Sequence, residues 1–219
     1  MIAIVDYQMG NLRSVQKAFE RSGFKAVVTD DASRMMDADG VVLPGVGAFG
    51  DCCRELRSRH LVEPLLEWIE SGRPFLGICL GLQVLLGTSE ESRNAIGLNV
   101  IPGRVMRFTD SALKVPHMGW NRVSYLSNGR GDCPLFENIP ENTYFYFVHS
   151  YYAVPEDMTV AAGLTEYGVT FVSAVWRDNV FATQFHPEKS QAAGLKLIEN
   201  FGKVVERARG KSSGRVGRS

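Results

Sequence analysis

The stretch "PFLGICLGLQVLLG", residues 74–87, reads as a buried strand running straight into an apolar helix, with Cys79 at the junction. Gly77 stands two residues before the thiol and Gly81 two residues after it. Glycine in an element interior costs about 1 kcal/mol relative to alanine, so a pair of them around one cysteine asks for a reason. A sharp strand-to-helix turn supplies one. Strand, Gly-x-Cys-x-Gly, helix repeats the logic of the nucleophile elbow, written for serine as G-x-S-x-G, in which small neighbours let a strained backbone fit. The turn lifts its side chain above the carboxyl ends of the strands, where open α/β sheets bind ligands. A helix starting there directs its N-terminal dipole at the sulfur and favours a thiolate. The N–H of Leu80 then faces a developing oxyanion, and the glycines leave a substrate carbonyl room to reach the sulfur. A core cysteine between two packing glycines has the same letters, so the thiol needs partners elsewhere in the chain.

Upstream of the turn, "IAIVD" (2–6), "KAVVT" (25–29) and "GVVLPG" (40–45) are short apolar runs of the same kind as "PFLGI" (74–78). Asn11 is placed to cap a helix in which Leu12, Val15 and Phe19 recur until Gly23. "LVEPLLEWIESG" (61–72) is amphipathic and ends at a glycine. Buried strands alternating with helices imply parallel pairing through right-handed crossovers. Downstream, "GRVMRF", "NRVSYL", "YFYFVHSYY", "TVAAGLTEYG" and "VTFVSAVWRDNVFATQF" are rich in β-branched and aromatic residues between turn signals, as antiparallel strands are. Ser190 is expected to cap a last helix carrying Leu195, Ile198, Phe201 and Val205. The expected fold is α/β: an open, mostly parallel sheet flanked by helices, with an additional antiparallel β extension. One domain is expected over residues 1–208. The basic, Gly- and Ser-containing tail 209–219 has nothing to bury and is expected to be disordered.

The gross composition narrows the function classes. The chain has 219 residues, 45% hydrophobic and 22% charged, as an ordinary globular protein does. Lys+Arg 24 against Asp+Glu 24 balance, which gives nucleic acid or an anionic membrane no electrostatic hold. No apolar run approaches the roughly 18 residues needed to span a bilayer, and "MIAIVDYQMG" lacks the basic start and long apolar core of a signal peptide. Four cysteines in this length are no disulfide framework, adjacent Cys52 and Cys53 least of all. A cytoplasmic protein with reduced thiols is expected.

A thiol nucleophile needs a base, and four histidines are available. His186, in "FATQFHPEKS", directly follows an apolar strand; Pro187 stiffens the exit. Glu188, two residues on in an extended segment, projects to the same side and can accept the ring N–H and set its tautomer, completing an orienter–base–nucleophile chain. His60 lies in a charged stretch and reads as surface, while His117 and His149 stand beside aromatic and turn residues and read as structural. No spacing resembles a zinc site; neither metal nor cofactor is expected. The glycines of "LPGVGAFG" (43–50) form neither G-x-G-x-x-G nor a P-loop. A donor-rich backbone there would complete an oxyanion hole.

Taken together, "GICLGLQ" (77–83), "HPE" (186–188) and "PGVG" (44–47) resemble the class I, or triad, glutamine amidotransferases. The resemblance covers nearly the whole chain up to the basic tail. Within that class, "IVDYQMGNLRSV" at the start, "VPHMGWN" (115–121) and "YFYFVHSYY" (144–152) look like the glutaminase subunits of imidazole glycerol phosphate synthase. One position departs: the family reads Asp-Tyr-Gly-Met-Gly-Asn where this chain has Gln8, which puts a local turn in question. The resemblance implies Cys79 as nucleophile, His186 as acid and base, and Glu188 as its orienter. It implies an oxyanion hole from Leu80 with Val46 and Gly47, and Gln83, Glu91, Ser150 and Tyr151 around the amino-acid end of glutamine. A heterodimer with a (β/α)8-barrel cyclase subunit is implied, with Trp120 and Asn121 at the contact and Lys189 pairing with a cyclase carboxylate. Glutaminase subunits serving pyridoxal phosphate or anthranilate synthesis remain alternatives, as do a cysteine hydrolase and a non-catalytic binding subunit.

Overall fold

The computed structural model describes residues 1–111, 113–127 and 131–216, and the side chains of all these but 211–216. Each apolar run of the N-terminal half becomes a strand: β1 (Ile2–Val5), β2 (Ala26–Thr29), β3 (Gly40–Gly45) and β4 (Phe75–Cys79). All residues of β1, β3 and β4 are buried, without alternation, because helices cover both faces of the sheet. Alternate residues serve opposite faces. Ala3, Val5, Val41, Leu43 and Phe75 join one core, while Ile2, Ile4, Val42, Leu76 and Ile78 join the other. The first core is closed by α2 (Ala32–Met36), α3 (Phe49–Ser58) and α4 (Val62–Glu70) through Met35, Phe49, Leu56, Leu65 and Trp68. The second is closed by α1 (Leu12–Arg21) and the C-terminal α6 (Gln191–Val216) through Phe19, Leu197, Ile198 and Phe201. Helix α6 enters the stretch expected to be a disordered tail and runs in it to Val216. The end of that tail, 217–219, lies outside the described residues.

After Cys79 comes α5 (Leu80–Gln83), then β5 (Thr88–Ser89), β6 (Gly103–Arg107), β7 (His117–Tyr125), β8 (Thr143–His149), β9 (Tyr151–Pro155), β10 (Ala161–Tyr167), β11 (Val169–Arg177) and β12 (Val180–Thr183). The strand order is β2-β1-β3-β4-β12-β11-β10-β7-β8, with β9 on β11 and β6, and β5 on β6. Pairing is parallel from β2 through β12. Beyond β12 it turns antiparallel, apart from the short β5–β6 pair. The sheet is thus a mixed one, a parallel core with an antiparallel extension.

Three details differ from the expectation. The run "VTFVSAVWRDNVFATQF" is two strands, and the second, β12, belongs to the parallel core beside β4. "YFYFVHSYY" breaks at Ser150 into β8 and β9, which pair with different neighbours. The apolar helix expected after Cys79 is a single turn. The carbonyls of Val84, Leu85 and Gly87 accept the N–H groups of Leu98, Ile101 and Gly97, so they are taken by a returning loop and not by further helix. One turn of four residues aligns too few peptides for the strong dipole expected of a longer helix.

Gln8 occupies the position where a glycine was anticipated, and it does so in the left-handed region, φ +66°. Its N–H donates to Asp6 Oδ1 at 2.9 Å, which holds the turn. An L-residue there costs about 1 kcal/mol. Gln8→Gly is therefore expected to raise Tm by roughly 2–4 °C, read by thermal melting; an unchanged or lower Tm would show that the turn is not strained.

Candidate active site

Register brings the site together. Gly45 pairs with Cys79 across β3 and β4, and Thr183 pairs with Ile78 across β12 and β4. Three neighbouring parallel strands therefore end at one level. The chain just beyond each end, 46–47, 79–80 and 184–188, has to meet above the sheet, the usual ligand position for this architecture.

Cys79 turns the corner at φ +56° and ψ −106°, a strained conformation for a non-glycine residue. The flanking glycines make that corner possible. A Cβ on Gly81 would lie 1.9 Å from the Leu43 carbonyl oxygen, and one on Gly77 would lie 2.6 Å from the Gly81 oxygen. Both are needed because backbone meets backbone. Neither clears a path for a substrate carbonyl, which corrects the second half of the sequence reading.

His186 is held behind the thiol at 2% exposure. Its N–H donates to the Tyr146 carbonyl, and its own carbonyl accepts the Ser190 hydroxyl. That hydroxyl also accepts the Tyr146 N–H. Ser190 thus spends its side chain on the histidine segment, while only its carbonyl receives a bond from α6, from the Gly194 N–H. The ring Nδ1 donates to Glu188 Oε1 at 2.8 Å, with both side chains buried. A carboxylate on Nδ1 fixes the tautomer and turns Nε2 toward Cys79. Burial disfavours a charged ring, but Cys79, and after it Glu188, outweigh burial and raise the imidazole to about 10. Nε2 makes no hydrogen bond of ordinary geometry, so thiol and imidazole stand in electrostatic contact without a formed bond. Such contacts tighten when substrate binds.

Gln184 was not anticipated. It is fully buried, donates from Nε2 to Cys79 Sγ at 3.6 Å, and accepts at Oε1 from Gln83 Nε2 at 3.1 Å. Its only sequence signal is a polar residue inside an apolar strand end, two places before His186.

A cavity of about 420 Å³ opens on the thiol, lined by Val46, Gly47, Cys79, Leu80, Gln83, Glu91, Ser150, Tyr151 and Lys189 among others. The residues expected around glutamine share this one cavity. A larger depression of about 730 Å³ among Arg54, Arg57 and Arg93 lies away from the thiol. Gln83 Nε2 donates to both the Tyr151 carbonyl (2.9 Å) and Gln184, leaving its Oε1 to accept from a ligand. Glu91 Oε2 accepts the Phe49 N–H at the start of α3 (2.7 Å), leaving Oε1. Gly47 has φ +101°, and it follows the exposed Val46.

Of the expected contact residues, Trp120 and Lys189 are exposed, and the Lys189 ammonium lies 5.9 Å from the centre of the Tyr146 ring. Asn121 faces the other way: its Nδ2 donates to the Glu166 carbonyl at 2.9 Å and lies 3.2 Å from His117 Nε2. His60 is exposed. His117 and His149 are buried, 3.0 Å apart between Nδ1 and Nε2 respectively, within an aromatic cluster. Among the described residues no cluster of three or more His, Cys, Asp or Glu is arranged to hold a metal ion, and no helix is long and apolar enough to cross a membrane.

The family model described as glutamine amidotransferase class-I matches residues 3–205. Over 208 residues the chain is 56% identical to the imidazole glycerol phosphate synthase subunit HisH of Syntrophotalea carbinolica, covering 92% of this chain and 99% of that protein. It is 54% identical over 209 residues to the same subunit of Geobacter sulfurreducens, covering 93% and 98%. Among solved structures, PurLQS from Thermotoga maritima superposes with TM-score 0.71 at 20% identity, over 94% of this chain and 97% of that one. The glutaminase domain of CTPS from Trypanosoma brucei gives 0.62 at 15% identity, over 94% and 93%. Likeness at that identity concerns the fold alone.

Proposed function

This chain belongs to the glutamine amidotransferase class-I family, and from that premise we propose that it is the glutaminase subunit of an imidazole glycerol phosphate synthase. Near full-length identity above half to such subunits supports the assignment. The observation that carries the chemistry is a thiol at the end of β4 beside an imidazole that is itself bonded to a buried carboxylate. Residues 1–208 act as one glutaminase unit in a cytoplasmic setting.

Glutamine enters the cavity with its ammonium toward Glu91 and Gln83 Oε1 and its carboxylate toward the Ser150–Tyr151 segment. His186 Nε2 takes the thiol proton as the Cys79 sulfur attacks the side-chain carbonyl carbon, and the carbonyl π electrons move onto oxygen. The N–H of Leu80 and a peptide N–H of the Val46–Gly47 loop stabilise that oxyanion. His186 Nε2 hands its proton to the amide nitrogen, the C–N bond breaks, and ammonia leaves a γ-glutamyl thioester. Water then attacks the thioester while Nε2 takes its proton, releasing glutamate and restoring the thiol. Glu188 accepts the Nδ1–H throughout and stabilises the imidazolium each time it forms.

Ammonia passes to a separate (β/α)8-barrel cyclase subunit. There it reacts with the phosphoribulosyl-formimino aminoimidazole carboxamide ribonucleotide to yield imidazole glycerol phosphate and an aminoimidazole carboxamide ribonucleotide, a step of histidine biosynthesis. Met118, Trp120 and Tyr144 are 62%, 45% and 47% exposed on the β7–β8 hairpin, an apolar patch next to the cavity that suits this partner. Lys189 at its border pairs with a carboxylate of the cyclase. Asn121, turned inward, contributes by shaping β7. The test is glutamine hydrolysis by the chain alone and with cyclase and its nucleotide ligand. The rate is expected to be low alone and to rise on assembly, whereas a fast, partner-indifferent glutaminase would contradict the reading.

A further inference from the structure

Two buried histidines that the proposed chemistry does not use form part of a directed chain of hydrogen bonds. The Tyr151 carbonyl can only accept, so His149 Nδ1, 2.8 Å away, carries a proton. In a neutral ring Nε2 is then an acceptor, and the group facing it at 3.0 Å, His117 Nδ1, must be the donor. His117 Nε2 is in turn an acceptor, matched by Asn121 Nδ2 at 3.2 Å. The second N–H of that amide goes to the Glu166 carbonyl, and its oxygen accepts the Arg122 N–H. Each assignment forces the next, and nowhere do two protons or two lone pairs face each other.

From Tyr151 the chain continues toward the nucleophile. The same carbonyl accepts from Gln83 Nε2, Gln83 donates to Gln184, and Gln184 donates to the Cys79 sulfur. The rings are also packed to stay neutral. His117 stacks between Phe147 (4.9 Å) and Tyr167 (4.0 Å), and Phe108 and Phe171 lie against His149. Burial lowers His117 to about 4 and His149 to about 3. The chain begins one residue from exposed Trp120 and ends at the thiol.

We infer that His149, locked as its Nδ1–H tautomer by His117 and Asn121, is a positioning residue of the glutamine site. It fixes the Ser150–Tyr151 backbone that faces the substrate, and through the Tyr151 carbonyl it holds the Gln83–Gln184 pair that orients the sulfur. The inference deepens the glutaminase reading and rests on it.

Nitrogen-15 NMR of the full chain at neutral pH reads the tautomers directly. Both His117 and His149 should be neutral with the proton on Nδ1, the minor form of free histidine; an Nε2–H form or a charged ring at either would overturn the inference. The functional arm uses the assembled enzyme. His149→Phe keeps a ring and removes the donor to Tyr151, and should raise KM for glutamine roughly tenfold with a smaller fall in kcat. His149→Asn restores a donor near the Nδ1 position and should recover most of that KM. Wild-type KM in a folded His149→Phe enzyme, or equal damage in both variants, would refute the positioning role. If His149→Phe does not fold, the tautomers decide. A wild-type complex that hydrolyses no glutamine would instead remove the glutaminase reading, and the positioning role with it, even with both tautomers as expected.

Discussion

Replacing Cys79 with alanine is expected to cut glutamine-dependent synthesis by the assembled enzyme at least ~10⁴-fold, while ammonia-dependent synthesis by the cyclase continues at its normal rate. The loss is large because no other group can form the acyl bond. The other three cysteines, Cys52, Cys53 and Cys133, are buried, and Cys52 and Cys133 are each pushed up to about 12 by burial, which keeps them as inert thiols. The substitution itself is mild. Cys79 is the N-terminal corner of α5 and carries a positive φ already, and alanine meets the same backbone demand while removing only the sulfur with its contacts to Gln184 and His186. Loss of both activities would show that the division of labour between the subunits is wrong. Loss of neither would show that Cys79 is a packing residue.

Glu188→Gln is the second large effect, expected at roughly 10²–10⁴-fold in kcat with KM for glutamine little changed. The geometry leaves room for little else to orient the ring, since Nδ1 donates to Glu188 and the imidazole is buried. An uncharged amide no longer stabilises the imidazolium, and its NH2 can face Nδ1 and enforce the opposite tautomer, with a proton pointing at the sulfur. The sign of the pH effect follows. Burial alone lowers the pKa of His186, while Cys79 first and Glu188 next raise it above its ordinary value. Without the carboxylate the ring loses its proton at a lower pH. The alkaline limb of kcat should therefore move to lower pH in the variant, as a pH–rate profile of glutamine hydrolysis would record. A variant within about threefold of wild type, with an unmoved limb, would leave Glu188 as a buried carboxylate without a catalytic part.

Some of this was legible in the sequence for simple reasons. Parallel strands covered on both faces are continuous apolar runs, so β1, β3 and β4 stand out from their letters alone. The elbow at Cys79 was legible because glycine is the only residue that tolerates backbone contact at Gly77 and Gly81. Its function there is closer packing than the sequence suggested. Helix α3 carried a readable signal, with Phe49, Cys52, Cys53 and Leu56 at helical spacing, masked by the glycines before it.

What stayed hidden depends on contacts between distant segments. The length of α5 is decided by carbonyls that serve Leu98 and Ile101, and nothing local to residues 84–87 announces that. The break at Ser150 reflects a change of strand partner from β7 to β6. Gln184 touches Gln83 and Cys79 across separations of 101 and 105 residues. The histidine pair, read as structural from aromatic neighbours, has a direction that only the facing carbonyl of Tyr151 reveals.

The central claim is that one sulfur, at the end of β4, takes the γ-glutamyl group. Its most direct test is mass spectrometry of the assembled enzyme after treatment with a glutamine analogue carrying an electrophilic carbon in place of the side-chain amide. A single adduct on Cys79, blocked by excess glutamine and absent from the His186→Asn enzyme on the same timescale, is the predicted result. Labelling of another cysteine, or no labelling while glutamine is still hydrolysed, would contradict it.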